Sequence, residues 1–339
     1  MSVNQQSNCR KVLSVLSFML LFQFAHAQYN FSGIEKKLEG AKDDIGKKYV
    51  CLIYKDGKII YKKETEGFDA KAQASIGLAS RWFVVALVMT YVDQGKINLD
   101  EKVSAYLPIF ATYGKKFITV RNCLTERTGI KSCDPTGKTL EEKVNAYASK
   151  CDINTNPGTA FDYDNIGITI AARICEVVAK RGFEQIINER IFRPLGMRNS
   201  SFFSESGNVN PANGAMSAAD DYVTFLSLFL NKGVFKTKQV ISEKSLAELV
   251  SIQVSTNFIK QSPKTVAGYT YALGSWAAEG NDTKATTLTC PGFYGTYPWI
   301  DICRGYAAII FTKTTNGESK KATFTGIKQF IDGVLGDCN

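Results

Sequence analysis

One histidine and nine cysteines set the first limits on the chemistry open to this chain. The histidine, His26, closes a leader. Arg10-Lys11 precede an apolar run from Val12 to Ala25, and Ala25-His26-Ala27 carries the small-x-small pattern of a cleavage site. With residues 1–27 removed no imidazole remains, which excludes Ser-His-Asp and Cys-His mechanisms, where a histidine moves the proton. It also leaves zinc without its usual nitrogen ligand, so neither a metal nor any other cofactor is expected. Cys9 leaves with the leader, and Cys51, Cys123, Cys133, Cys151, Cys175, Cys290, Cys303 and Cys338 stay. An even number in an exported chain permits disulfides, with more pairings than the sequence can choose among. Position favours Cys133 with Cys151, because they flank the polar excursion DPTGKTLEEKVNAYASK and a bond between them would pin a loop. Cys175 lies in an apolar helical run and reads as a small buried hydrophobe.

The elements around these groups follow from hydrophobic periodicity. An amphipathic helix is expected near residues 31–45. KYVCLIYKDGKIIYKKE then reads as two β-rich runs joined by Lys55-Asp56-Gly57, a hairpin with its turn glycine in place. From about 78 to 255 the pattern is helical. WFVVALVMTYV is apolar on all sides, as a central buried helix must be, and ends at Gly95. IGITIAARICEVVAK runs to a stop at Gly182, and a capping box from Ser217 to Asp220 opens DDYVTFLSLFLNKG, stopped by Gly233. Strands return near 286–290, 294–301 and 305–313, and an amphipathic helix near 318–335 closes the chain. Strands from both ends must meet in one sheet, with the helical middle as a second lobe and a cleft between them.

The formal net charge is +9, of which Arg10 and Lys11 supply two. Lys47-Lys48, Lys62-Lys63 and Lys320-Lys321 read as solvated faces, and no nucleic-acid motif accompanies them. The leader's apolar run falls short of the about 20 residues of a membrane span, and no other span follows. The mature chain, from Gln28, is therefore expected to be secreted or periplasmic and to lack a transmembrane segment.

Five stretches in order carry a resemblance: IGLASRWFVVALVMTYVDQGKINLDEKVSAYLP, FITVRNCLTERTGI, NPGTAFDYDNIGITIAARICEVVAKRGFEQIINERIFRPLGM, NGAMSAADDYVTFLSLFLNKG and PGFYGTYPWID. Together they resemble the serine β-lactamase and penicillin-binding protein family, in the branch of class C β-lactamases, D-alanyl-D-alanine carboxypeptidases and related esterases. The resemblance implies an α/β (α+β) fold of β-lactamase/transpeptidase type. It has an antiparallel sheet of about five strands flanked by terminal helices, and an inserted all-helical lobe. The sheet lobe would cover about 28–70 and 265–339, and the helical lobe about 71–264.

The resemblance also locates the departures. Leu78 stands where the family has its nucleophilic serine, and Arg81 where it has the lysine of Ser-x-x-Lys. Leucine has no atom to attack with. Arginine, with a pKa above about 12, cannot take up a proton. Tyr163-Asp164-Asn165 retains the Tyr-x-Asn motif. Cys290-Pro291-Gly292 replaces the third motif, and Glu126 replaces the histidine of LTHTSG. Ser75 and Ser80 are alternative nucleophiles, although Ser80 should point about 100° round the helix from Arg81 and Ser75 precedes that helix. Asp162 and Asp164 offer carboxylates for Arg81.

The reading is an exported, catalytically silent protein with no intact catalytic residue, only the degenerate positions Leu78, Arg81 and Cys290. Arg81, Tyr163, Asn165 and Gly292 would bind a small peptide or other carboxylate-bearing, cell-wall-type ligand, the guanidinium and a helix N-terminus both favouring an anion. The alternative is an active serine hydrolase using another nucleophile, as an esterase, D,D-peptidase or β-lactamase-like enzyme.

Overall fold

The computed structural model describes residues 29–202, 209–292, 295–313 and 320–338, so the expected leader, residues 1–27, lies outside the described residues. Residues 31–339 form one compact unit. Helix α1 (Ile34–Gly40) leads into the hairpin β1 (Tyr49–Lys55) and β2 (Lys58–Glu64). Asp56 and Gly57 hold the turn with φ of 50° and 80°, the left-handed pair a two-residue hairpin requires. Helices α2 (Ser80–Asp93), α3 (Val120–Leu124), α4 (Leu140–Lys150), α5 (Ile166–Ala179) and α6 (Ala219–Leu230) follow. The chain then returns through β3 (Thr270–Tyr271), β4 (Trp276–Gly280), β5 (Ala285–Thr289), β6 (Tyr297–Asp301) and β7 (Tyr306–Thr312), and ends in α7 (Lys321–Leu335).

The sheet has the order β2-β1-β7-β6-β5-β4-β3 and is antiparallel throughout. Pairing of Tyr49 with Thr312 and Lys55 with Tyr306 joins the two ends of the chain, as expected. The strand count is seven against the expected five. The additional strands are a two-residue β3, too short to show alternation, and β4, whose WAAEG has no period-2 pattern.

Helix α6 packs on the inner face of the sheet, and α7 on the outer face, where Phe324 stacks on Tyr297 at 4.1 Å. Every residue from Ser80 to Tyr91 is buried, so α2 is the axis of the helical part and supplies the first residues of the site. Phe83 meets Phe225 and Tyr222 at 4.9 Å, each buried ring contributing about 1.5–3 kcal/mol.

Two local expectations fail. Ser217 does not cap α6: Ala218 is the N-cap, and Ser217 pairs with Ala74 in a two-residue ladder while its hydroxyl meets Ser200 Oγ at 2.8 Å. Gly182 does not stop α5; Lys180 does, at φ 55°, and Gly182 instead begins the next helix. Cys133 and Cys151 are bonded, with Cα atoms 6.2 Å apart, and Cys303 and Cys338 form a second bridge that spacing did not indicate. Cys175 is free and buried. No helix among the described residues is long and apolar enough to cross a membrane.

The turn between β3 and β4 ties the sheet to the helices. Gly274 has φ 65°, donates its N–H to Leu124 O at 2.9 Å, and leaves no room for a Cβ, which would lie 2.2 Å from Val85 Cγ2. Gly274→Ala is expected to lower stability by about 2–3 kcal/mol in urea denaturation, with part of the loss recovered in Gly274→Ala/Val85→Ala. An unchanged midpoint for the single variant would show that this contact bears no strain.

Candidate functional site

The site begins where Ser75 ends a short pairing with Met216 and a single 3-10 turn, Gly77–Ala79, feeds α2. Leu78 lies in this turn. Ser80, one of the two alternative nucleophiles, is fully buried: its hydroxyl donates to Gly77 O at 2.6 Å and accepts from Ala215 N at 3.0 Å. That serine fastens two backbone segments and is not presented to a cleft.

Arg81 follows in the first turn of α2 and is 1% exposed. Its Nη1 pairs with Glu126 Oε1, its Nη2 donates to Asn165 Oδ1 at 2.9 Å, and its guanidinium carbon lies 4.3 Å from the centroid of the Tyr163 ring. The partner is therefore Glu126 and neither of the expected aspartates. Asp164 is occupied by the N–H of Ile166 at 2.8 Å, and Asp162 is exposed. Glu126 reaches Arg81 because it adopts φ 56° just after α3, whose start is fixed by a reciprocal Thr119–Asn122 capping box. Asn165 stands at the N-cap of α5 but makes no capping bond, so its amide oxygen is free for Arg81. Arg81 Nε and Glu126 Oε2 are enclosed without partners.

Cys290 follows β5, fully buried, with its thiol directed at Leu78 O at 3.4 Å. Gly292 crosses close to the turn before α2, where a Cβ would lie 2.3 Å from Ile76 O, and its N–H is spent on Thr296 O at 2.7 Å. The backbone crossing, more than any ligand contact, accounts for glycine there.

Burial dominates the titration of these groups. It pushes the Cys290 thiol up to about 12, against the pull of Arg81, so no thiolate forms near neutrality. It also pushes the Glu126 carboxyl upward, a shift that the adjoining Arg81 guanidinium opposes by favouring the carboxylate, and Asp164 up to about 6. Burial opposes the charge on Arg81, but Tyr163 and Glu126 outweigh it and the guanidinium stays protonated. The Tyr163 phenol is raised above its usual range by burial.

Beside this cluster opens a cavity of about 290 Å³, whose walls include Leu78, Tyr163, Val266, Trp276, Pro291 and Gly292. Arg81, Asn165 and Cys290 are not on its walls. Arg81, expected to receive an anion, lies behind Tyr163, paired with Glu126. Phe161, Tyr271 and Trp276 surround Tyr163, with Trp276 at 5.1 Å and Tyr271 meeting Trp276 at 4.9 Å. Sequence reasoning missed Trp276, Val266 and the role of Glu126. The signal for Glu126 was an acid standing in for histidine in the same chain that exchanges lysine for arginine.

Comparison with known proteins places this geometry. Residues 49–330 match the family model described as Beta-lactamase. Penicillin-binding protein PbpX of Bacillus subtilis (strain 168), a provisional designation, is 24% identical over 177 residues, 50% of this chain and 44% of that protein. The chain thus spans less than half the length of that curated relative. A structure from Bacteroides dorei DSM 17855, provisionally identified as a β-lactamase, superposes with a TM-score of 0.78 at 20% identity, over 91% of this chain and 100% of that one. EstCE1, a hydrolase with promiscuous acyltransferase activity, gives 0.74 at 18%, over 90% and 99%. Likeness at these identities shows the fold.

One outcome follows for the buried pair. Arg81→Leu and Glu126→Leu should each cost about 3–5 kcal/mol in urea denaturation, and the double variant clearly less than their sum, because neither polar group is then left alone; strictly additive losses would refute the pairing.

Proposed function

The chain belongs to the β-lactamase family, and on that premise we propose that it is an exported, catalytically silent member whose cleft binds a small apolar group of a peptide or acylated ligand. The observation that carries this reading is the buried Arg81–Glu126 pair behind Tyr163, on a cavity whose wall also holds Leu78. Acyl transfer needs a nucleophile and a group that accepts its proton. Leu78 supplies no nucleophile, the protonated Arg81 accepts nothing, and the exchange of both is stabilised by Glu126, an acid that a lysine–serine site would not need. Ser80 is committed to Gly77 and Ala215, and Cys290 is a buried thiol, so neither supports a substitute mechanism.

The ligand follows from the walls. Leucine, valine, two prolines and the faces of Tyr163 and Trp276 favour apolar and aromatic surface over an ion. A carboxylate on the ligand gains nothing from Arg81, whose charge is already matched. Two disulfides are in keeping with an oxidising compartment, and with the leader they support export.

Intact-mass measurement after incubation with penicillin G and with a fluorophosphonate is expected to show no adduct. A stoichiometric adduct on any serine would overturn the silent reading. Tryptophan emission, with Trp276 on the cavity wall, should respond saturably to N-phenylacetyl-D-alanyl-D-alanine and not to D-alanyl-D-alanine or acetate. Val266→Trp should weaken that binding at least about tenfold by filling the cavity. Equal response to the unacylated dipeptide would restore an anion-led reading.

A further inference from the structure

A second cavity, of about 220 Å³, lies between the outer face of the sheet and α7, and shares no lining residue with the first. The sheet register explains why it is unusual. Trp299 pairs with Thr289 and Asp301 with Thr287, so these four share the face turned to α7, together with Tyr297. Farther along the same face, β7 and β1 present Ala308, Ile310, Cys51 and Ile53. One end of this surface is thus an ordinary apolar packing face, and the other end is built of hydroxyls and indole, yet both are covered by helices.

Thr325 of α7 faces these hydroxyls across the cavity. Other helical threonines spend their hydroxyls, Thr90 on Leu87 O at 2.8 Å, Thr169 on Asn165 O at 2.6 Å, Thr224 on Asp220 O at 2.8 Å and Thr323, in α7 itself, on Asp44 Oδ2. Thr325 does not. Its Oγ1 is enclosed and has no partner, and an enclosed hydroxyl left unpaired costs free energy unless something in the cavity meets it.

The charges at the rim narrow what that something is. Lys328 Nζ has all three donors spent, on Glu279 at 2.9 Å, Asp301 at 3.1 Å and Asp332 at 2.7 Å. Lys321 Nζ bonds Ala267 O and sits 4.0 Å from the Tyr269 ring, with no carboxylate in ion-pair contact among the described residues. Glu279, already shared by Lys328 and Thr287, closes the opposite side. Around the cavity three cations, Lys321, Lys328 and Arg304, balance three carboxylates, Glu279, Asp301 and Asp332, which leaves no net charge for an ionic ligand. What remains are unspent lone pairs on Thr287 and Thr289, the whole hydroxyl of Thr325, the exposed amide of Gln329 and free N–H bonds of Lys321.

We propose that this cavity is a binding site for a small, uncharged, polyhydroxylated ligand of single-sugar size. Its volume lies below the about 300 Å³ at which pockets for larger ligands begin, and its lining sets three threonines among aromatic side chains. The site is separate from the cleft at Leu78 and does not depend on how that cleft functions.

Titration calorimetry and saturation-transfer NMR on the full chain, with glucose, N-acetylglucosamine and glycerol as probes and acetate as a charged control, test the assignment. At least one polyol should bind saturably. Thr325→Val, which removes only the hydroxyl, should weaken it about fivefold. Thr325→Leu, which fills the space, should abolish it, with circular dichroism confirming that the variant folds; should it not fold, the valine variant decides. Saturable binding by none of the three polyols, binding unchanged in Thr325→Val, or binding of acetate alone would each overturn the proposal.

Discussion

The buried pairing of Arg81 with Glu126 is the constraint around which the site is arranged. A guanidinium enclosed to 99% needs a countercharge, and Glu126, which leaves α3 in a left-handed conformation, brings one to the base of α2. Asn165 and the Tyr163 ring complete the enclosure. Each of these side chains is thereby committed to holding a charge in place. Tyr163 lines the cleft with the guanidinium behind its ring. The neighbouring thiol and serine are likewise turned to backbone carbonyls.

Much of the architecture was readable from periodicity. The hairpin at Asp56-Gly57, the all-apolar α2 and the return of strands near the C-terminus are each strong local patterns, and the β-lactamase-type sheet and helices are where those patterns put them. What failed was punctuation. Ser217 has the residue type and spacing of a cap, but its hydroxyl finds Ser200, a partner no local rule can anticipate. Gly182 looked like a stop, while a lysine accepted the left-handed conformation two residues earlier. Strand β3 is visible only through its ladder.

The site was readable in outline and misread in depth. Counting along α2 located Leu78 and Arg81, and the structure does bring them together with Tyr163, Asn165 and Cys290. Burial is a property of the packed chain, however, and no spacing argument reveals that a tyrosine lies between the arginine and the cavity. The same holds for Trp276 and Val266, contributed by segments with no motif of their own. Cys303 and Cys338 illustrate the same limit, since their proximity exists only because α7 returns the chain to the turn between β6 and β7.

The two ends of the sheet order differ in a way that bears on how the molecule behaves in a crowd. At one end β3 offers only two residues. At the other β2 carries Lys58, Lys62 and Lys63, and its ladder to β1 is broken by a bulge at Ile53/Tyr54. An unpaired strand is a template on which a neighbouring chain can continue the ladder, and short length, lysines and bulges are the devices that discourage it. Both margins of this sheet carry devices of that kind, so its edges are poor templates when molecules meet at high concentration.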